Sequence, residues 1–151
     1  MHGKATMIPD VTTRMVGDGG ELYVAAMLNF HGIPTTVMPR GWPGYDLVAE
    51  KNGELLRIQV KTANASKQEW KKSQSMRMWN PGSTQRYDWL ALVLWNPEGP
   101  EICAWLMPSA IAEKHRHDSK TREILLKTAA TELEDYKNNW QLVDSSNSEM
   151  T

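Results

Sequence analysis

The chain has 151 residues, 40% of them apolar, with seven Trp, a single cysteine (Cys103) and a formal net charge of −1. That size and composition fit one domain with a sizeable core and exclude a disordered chain or a disulfide-stapled scaffold. No apolar run reaches bilayer length and the first residues, MHGKATMIPD, carry no signal-peptide core, so a location in the reducing cytoplasm, away from membranes, is expected.

In chain order, residues 1–16 carry weak signals and are expected to form an N-terminal arm. A helix is predicted from Asp18, because Asp18-Gly-Gly-Glu21 has the shape of a capping box and Leu22, Val24, Ala25, Ala26 and Leu28 supply an apolar stripe. Gly32 is placed to end it. Residues 33–38 have the β-branched character of a first strand. Residues 39–44, with two prolines and two glycines, form a loop in which Trp42 is expected to be a packing residue. Residues 44–62 read as two strands joined at Asn52-Gly53, the residue pair that a type I′ turn favours. Residues 63–79 fit neither helical nor strand periodicity; they interleave Trp70, Met76, Met78 and Trp79 with Lys67, Lys71, Lys72 and Arg77.

Asn80-Pro-Gly-Ser is a turn, and residues 87–95 form an apolar run expected of a strand buried on both faces. A second strand over 101–107 is expected to hairpin with it. A short helix follows from Pro108 to about His115, then a helix over 120–140, with Trp140 and Leu142 packing it down. Residues 144–151 are a polar tail expected to be disordered. His115 and His117 form no metal spacing and are expected at the surface, and Cys103 is expected in the core. There is no internal repeat.

The central hairpin has a definite register. With Asn52-Gly53 as the turn, Lys51 faces Glu54, Ala49 faces Leu56, Leu47 faces Ile58 and Tyr45 faces Val60, so one side is apolar. On the other side Val48 faces Arg57, Asp46 faces Gln59, and Lys61 lies two residues on. These three polar residues suit either an ordinary solvent-facing strand or a site for a hard cation, which takes oxygen ligands and keeps several waters. Glu21 likewise suits either a helix cap or a second carboxylate. Charge is uneven along the chain: residues 132–151 carry five acids and one Lys, whereas residues 51–86 carry eight Lys/Arg against Glu54 and Glu69. That basic stretch suits either a solvated surface or phosphate contact.

Gly17-Asp18-x-Gly20-Glu21 opening a helix, Tyr45-Asp46-Leu47-Val48, and Arg57-Ile58-Gln59-Val60-Lys61-Thr62 together resemble the PD-(D/E)XK nuclease superfamily. The likeness is to its small endonuclease branch of group I intron homing endonucleases and Holliday-junction resolvases. It covers residues 15–62 by motif and 87–108 by pattern. It implies a single α/β domain over residues 17–143, with a central mixed sheet flanked by helices in the order αβββ(α)ββ. It implies a Mg²⁺-dependent endodeoxyribonuclease, with Mn²⁺ as an alternative ion. Asp46, Gln59, the Val60 carbonyl and Glu21 would hold the metal, and Lys61 would orient or deprotonate the attacking water. Lys67, Lys71, Lys72, Arg77 and Arg86 would contact DNA, duplex or branched, and a chain of this size would act as a homodimer or homotetramer. Two departures stand out: Tyr45 occupies the place of the motif's proline, and Gln59 replaces its second acid. The amide lowers the negative charge of the site, favours one metal over two and gives weight to Glu21. The alternative is a nuclease-like module that binds DNA or assembles complexes without cutting.

Overall fold

The structure, a computed structural model, describes residues 11–72, 77–99, 101–118, 120 and 122–145. The first helix, α1 (Thr13–Phe30), begins earlier than expected. Its cap is Thr12, whose Oγ1 accepts from the Met15 amide at 3.1 Å. Glu21 therefore stands in mid-helix, and Asp18-Gly-Gly-Glu21 is not a capping box. The helix ends as predicted. Gly32, at φ +87°, donates to Asn29 O, and Ile33 donates to Leu28 O, the paired bonds of a Schellman motif.

Three antiparallel strands follow: β1 (Thr35–Val37), β2 (Leu47–Lys51) and β3 (Glu54–Asn64). Asn52 and Gly53 both take positive φ, 53° and 82°, as a type I′ turn requires. The hairpin has the expected register from Lys51↔Glu54 to Leu47↔Ile58. The segment that resisted assignment divides into three pieces. Strand β3 runs on to Asn64. Helix α2 (Lys67–Lys72) is opened by a reciprocal cap, in which the Ser66 amide donates to Glu69 Oε1 at 2.7 Å and the Glu69 amide donates to Ser66 Oγ at 3.2 Å. Strand β4 (Arg77–Trp79) completes the segment.

Strand β5 (Trp89–Trp95) lies parallel to β3, and β6 (Ile102–Pro108) returns antiparallel. Tyr87 stays outside β5; it is buried, with its hydroxyl donating to Pro81 O at 2.7 Å. Helix α3 (Ser109–Lys114) follows as expected. The helix predicted over 120–140 is shorter. Ile124 and Leu125 form strand β7 (Ile124–Leu125), which pairs with β4; then come α4 (Leu126–Glu132) and a 3-10 turn at Glu134–Tyr136.

The result is a mixed five-stranded sheet of order β1-β2-β3-β5-β6, with β4 and β7 as a separate pair. It is a single α/β domain of the expected αβββ(α)ββ order. Alternation along β5 divides the core: Trp89, Ala91 and Val93 face α1 with Val24, Leu28 and Trp140, while Leu90, Leu92 and Leu94 face Trp79, Ala112, Ile124 and Ala129. Trp140 and Leu142 are buried as predicted, Trp140 meeting Tyr23 edge-on at 5.6 Å. Cys103 is partly buried against the second cluster. His115, expected at the surface, is half-buried and lies 3.1 Å from Glu132, while His117 is exposed. Residues 146–151 lie outside the described residues.

Candidate active site

Helix α1 approaches the sheet through Gly20, Val24 and Leu28, which are buried on one helical face. Gly20 is the closest point: a Cβ there would overlap the Thr62 side chain. That proximity sets Glu21, the next residue, at the end of the sheet. The loop before β2 crosses the same end, tied to α1 by Arg40 Nη2 to Asp18 Oδ2 at 3.0 Å. Between them opens a cleft of about 330 Å³, lined among others by Asp18, Glu21, Arg40, Trp42, Tyr45 and Asp46.

Asp46 departs from simple alternation. Its amide donates to Ile58 O at 2.9 Å, although Ile58 is already paired with Leu47. Two residues oppose one, the geometry of a β-bulge, a device that re-aims a side chain. The expected pairing of Asp46 with Gln59 gives way to this bulge. The Asp46 carboxylate instead accepts from the Val60 amide, Oδ2 at 2.9 Å. Val60 N–H points to the same side as Ile58 C=O, toward β2, but β2 begins only at Leu47. The carboxylate therefore takes the place that the next β2 residue would have filled, at the open end of the ladder.

Two carboxyl groups meet here. Burial, then Asp46, then Asp18 push Glu21 up to about 7, against the opposing charge of Arg40. Burial also raises Asp46, opposed by the Val60 amide and by the charge of Lys61. Lys61 thus acts electrostatically on Asp46. Gln59 and Lys61 are half-buried on β3, and neither side chain makes a hydrogen bond or ion pair among the described residues.

The donor set fits a hard divalent cation. Two carboxylates resist joint ionisation, and a cation between them would reverse that penalty. Among the described residues no group of three or more His, Cys, Asp or Glu is placed to hold one metal ion together, so such an ion would complete its shell with neutral oxygens and water, as Mg²⁺ does.

Of the predicted DNA contacts, Arg86 is exposed and lies against Gly44, in the loop that delivers Asp46. Lys71 is exposed on α2, whose Trp70 packs in the second cluster, away from α1. The side chains of Lys67, Lys72 and Arg77 lie outside the described ones. Sequence reasoning missed three cleft residues. Arg40 had a signal, a cation between two prolines ahead of the hairpin. Tyr45 reads in the sequence as an apolar partner of Val60 and as the residue in the place of the motif's proline, with nothing to mark it as cleft lining. Trp42, expected to pack, is 45% exposed and meets Tyr45 edge-on at 6.1 Å.

Arg57 braces this corner from outside the cleft. Its Nη2 donates to Asp88 Oδ1 at 3.0 Å, its amide donates to Asp88 Oδ2 at 2.8 Å, and its guanidinium lies 6.0 Å from the Tyr45 ring centre.

A family model described as PD-(D/E)XK endonuclease matches residues 11–143. A solved structure of a bacterial homing endonuclease, I-Ssp6803I, is similar over 94% of this chain and 100% of its own, with a TM-score of 0.58 and 18% identity, which speaks to the fold. No curated protein matches the chain. No helix among the described residues is long and apolar enough to cross a membrane. With helix, bulged strand and hairpin in the motif's order and the family match spanning them, the chain belongs to the PD-(D/E)XK endonucleases.

Proposed function

We propose that the protein hydrolyses DNA phosphodiester bonds with the help of a divalent metal ion, Mg²⁺ or Mn²⁺. The observation that carries this is the meeting of Glu21 and Asp46 at one cleft, with Lys61 acting on Asp46 from β3. Asp46 and Glu21 would hold the ion, with the Gln59 amide oxygen and the Val60 carbonyl as neutral ligands. The Val60 C=O is directed, like its N–H, toward the open end of the ladder. When bound, the ion neutralises the scissile phosphate and the charge that develops on it. Lys61 donates from its ammonium to the attacking water and orients it for in-line approach. Arg86 neutralises phosphate beside the loop, and Lys67, Lys71, Lys72 and Arg77 extend the contact along the backbone, which fixes register but carries no base sequence.

The similar structure is described as a homing endonuclease, which favours DNA as the substrate. One site cuts one strand, so duplex or junction cleavage would use a homodimer or homotetramer. The test is cleavage of plasmid, linear duplex and four-way-junction DNA with Mg²⁺, Mn²⁺ or EDTA. Cutting that needs the metal and falls about 10²–10⁴-fold in Lys61→Ala supports the assignment. Wild-type protein that binds DNA and cuts none of these would favour the non-cutting module.

A further inference from the structure

Trp42 stands apart from the other tryptophans. All seven are described, and Trp42 is the only one that is exposed, at 45%. An indole left in water forgoes a large burial gain, so its position on the rim of a cleft calls for a use. It is also firmly built. Its amide donates to Pro39 O at 3.0 Å, and the flanking glycines Gly41 and Gly44 take φ +85° and +93°. Arg86 fills the space beside Gly44. Arg40, two residues back, is held by Asp18. The ring meets Tyr45 at an interplanar angle of 70°, so Tyr45 leaves at least one indole face uncovered. Tyr45 in turn lies beneath Arg57, which Asp88 pins. The platform therefore adjoins Asp46, which follows Tyr45 in the chain and lines the same cleft.

The charge around it is mixed, with Arg40 in the cleft and Arg86 beside the loop set against three carboxyl groups. Asp18, Glu21 and Asp46 line the same cleft, and the chain's net charge is −1. An aromatic face binds a base without regard to that charge, because every base has a π-face. A fully stacked duplex offers no such face, whereas an unpaired nucleotide does.

We propose that Trp42 stacks on an unpaired base next to the scissile phosphate, so that the preferred substrate is DNA with a locally unpaired nucleotide rather than uninterrupted duplex. This rests on the endonuclease assignment above and adds the substrate class to it.

The test uses full-length protein carrying Lys61→Ala, with Mg²⁺ present, so that binding is read without cutting. The probes are a fully paired duplex and the same duplex with an unpaired bulge. Three outcomes are expected. The bulged probe binds more tightly and quenches tryptophan fluorescence. Trp42→Ala weakens bulge binding by about 5- to 150-fold, the equivalent of about 1–3 kcal/mol for one stacked base, and leaves duplex binding little changed. Trp42→Phe keeps most of the affinity and loses the quenching, which a purely structural role would not produce. Circular dichroism should show all variants folded, since the side chain is exposed. Equal loss on both probes, or none on either, overturns the stacking while leaving the endonuclease assignment standing. Failure of the parent protein to bind either DNA overturns both.

Discussion

Replacing Gly20 with Ala tests whether close approach of α1 to β3 sets the site. A Cβ at Gly20 would overlap Thr62 Oγ1, and it would lie 2.9 Å from Thr62 Cβ and 3.1 Å from Cγ2. Rotating χ1 of Thr62 moves Oγ1 and Cγ2 but not Cβ, so the helix itself must shift. Overpacking of this kind costs about 1–3 kcal/mol, at the upper end where a rigid atom is struck. Alanine returns about 1 kcal/mol of helix propensity. The net expectation is a loss of about 1–2 kcal/mol, or a fall in Tm of about 3–8 °C for a chain of this size. Cleavage should fall further than stability does, because Glu21 is the next residue and moves with the helix. Urea denaturation of Gly20→Ala, Thr62→Ala and the double variant gives the coupling directly. Thr62→Ala alone should cost little, since Thr62 Oγ1 is buried without a hydrogen-bond partner. In the double variant the two effects should couple by about 1 kcal/mol in the stabilising direction. A Gly20→Ala protein as stable as wild type, or additive behaviour in the cycle, would refute the contact as the determinant.

Three further outcomes follow from the electrostatics. Glu21 is raised from 4.5 to about 7 in the folded protein, chiefly by burial and then by Asp46. A carboxyl raised on folding holds its proton more tightly in the native state, so its contribution is most favourable below the unfolded pKa and declines up to the folded one. The metal-free protein should lose thermal stability between about pH 4.5 and about 7, and Glu21→Gln should flatten that decline. Mg²⁺ affinity, followed by calorimetry, should rise across the same window, because a ligand carboxylate must be ionised. At the other end of the corner, burial raises Asp88, but hydrogen bonds from the Arg57 side chain and amide outweigh it and hold the carboxyl below 3.8. Its stabilisation is present above the usual carboxylate range and is lost as pH falls through the lowered value. Asp88→Ala should therefore cost about 1 kcal/mol at neutral pH in a denaturant titration, and much less in strong acid.

The hairpin was legible because its signals are local. Asn52-Gly53 names its own turn, and alternation then assigns every partner down to Leu47. Strand β5 was legible because a run of apolar residues long enough for a strand is buried on both faces. The start of α1 was not, because Gly17, Gly19 and Gly20 weaken helix propensity where the helix in fact runs, and the reason for Gly20 is Thr62, forty-two residues away. Ser66 and Glu69 carried a visible capping-box spacing, hidden by the mixed residues around them. The short strand β7 owes its existence to a non-local partner, β4, and no local pattern marks it. At the site, residue types and order pointed to Asp46, Gln59, Lys61 and Glu21, and the structure brings Glu21 and Asp46 to one cleft. The bulge at Asp46 escaped, because a period-two count has no means of registering an extra residue. Trp42 escaped because aromatic composition predicts burial, and only the fold leaves this one outside.

The most direct measurement of the proposed two-carboxylate site is a charge relocation. Mg²⁺-dependent cleavage is compared in wild type, Glu21→Gln, Gln59→Glu and the double variant. If Glu21 supplies the negative charge that Gln59 lacks, Glu21→Gln loses cleavage and Mg²⁺ affinity, and adding Gln59→Glu restores part of both. Cleavage that is unaffected by Glu21→Gln, or a double variant no better than the single one, would contradict the assignment.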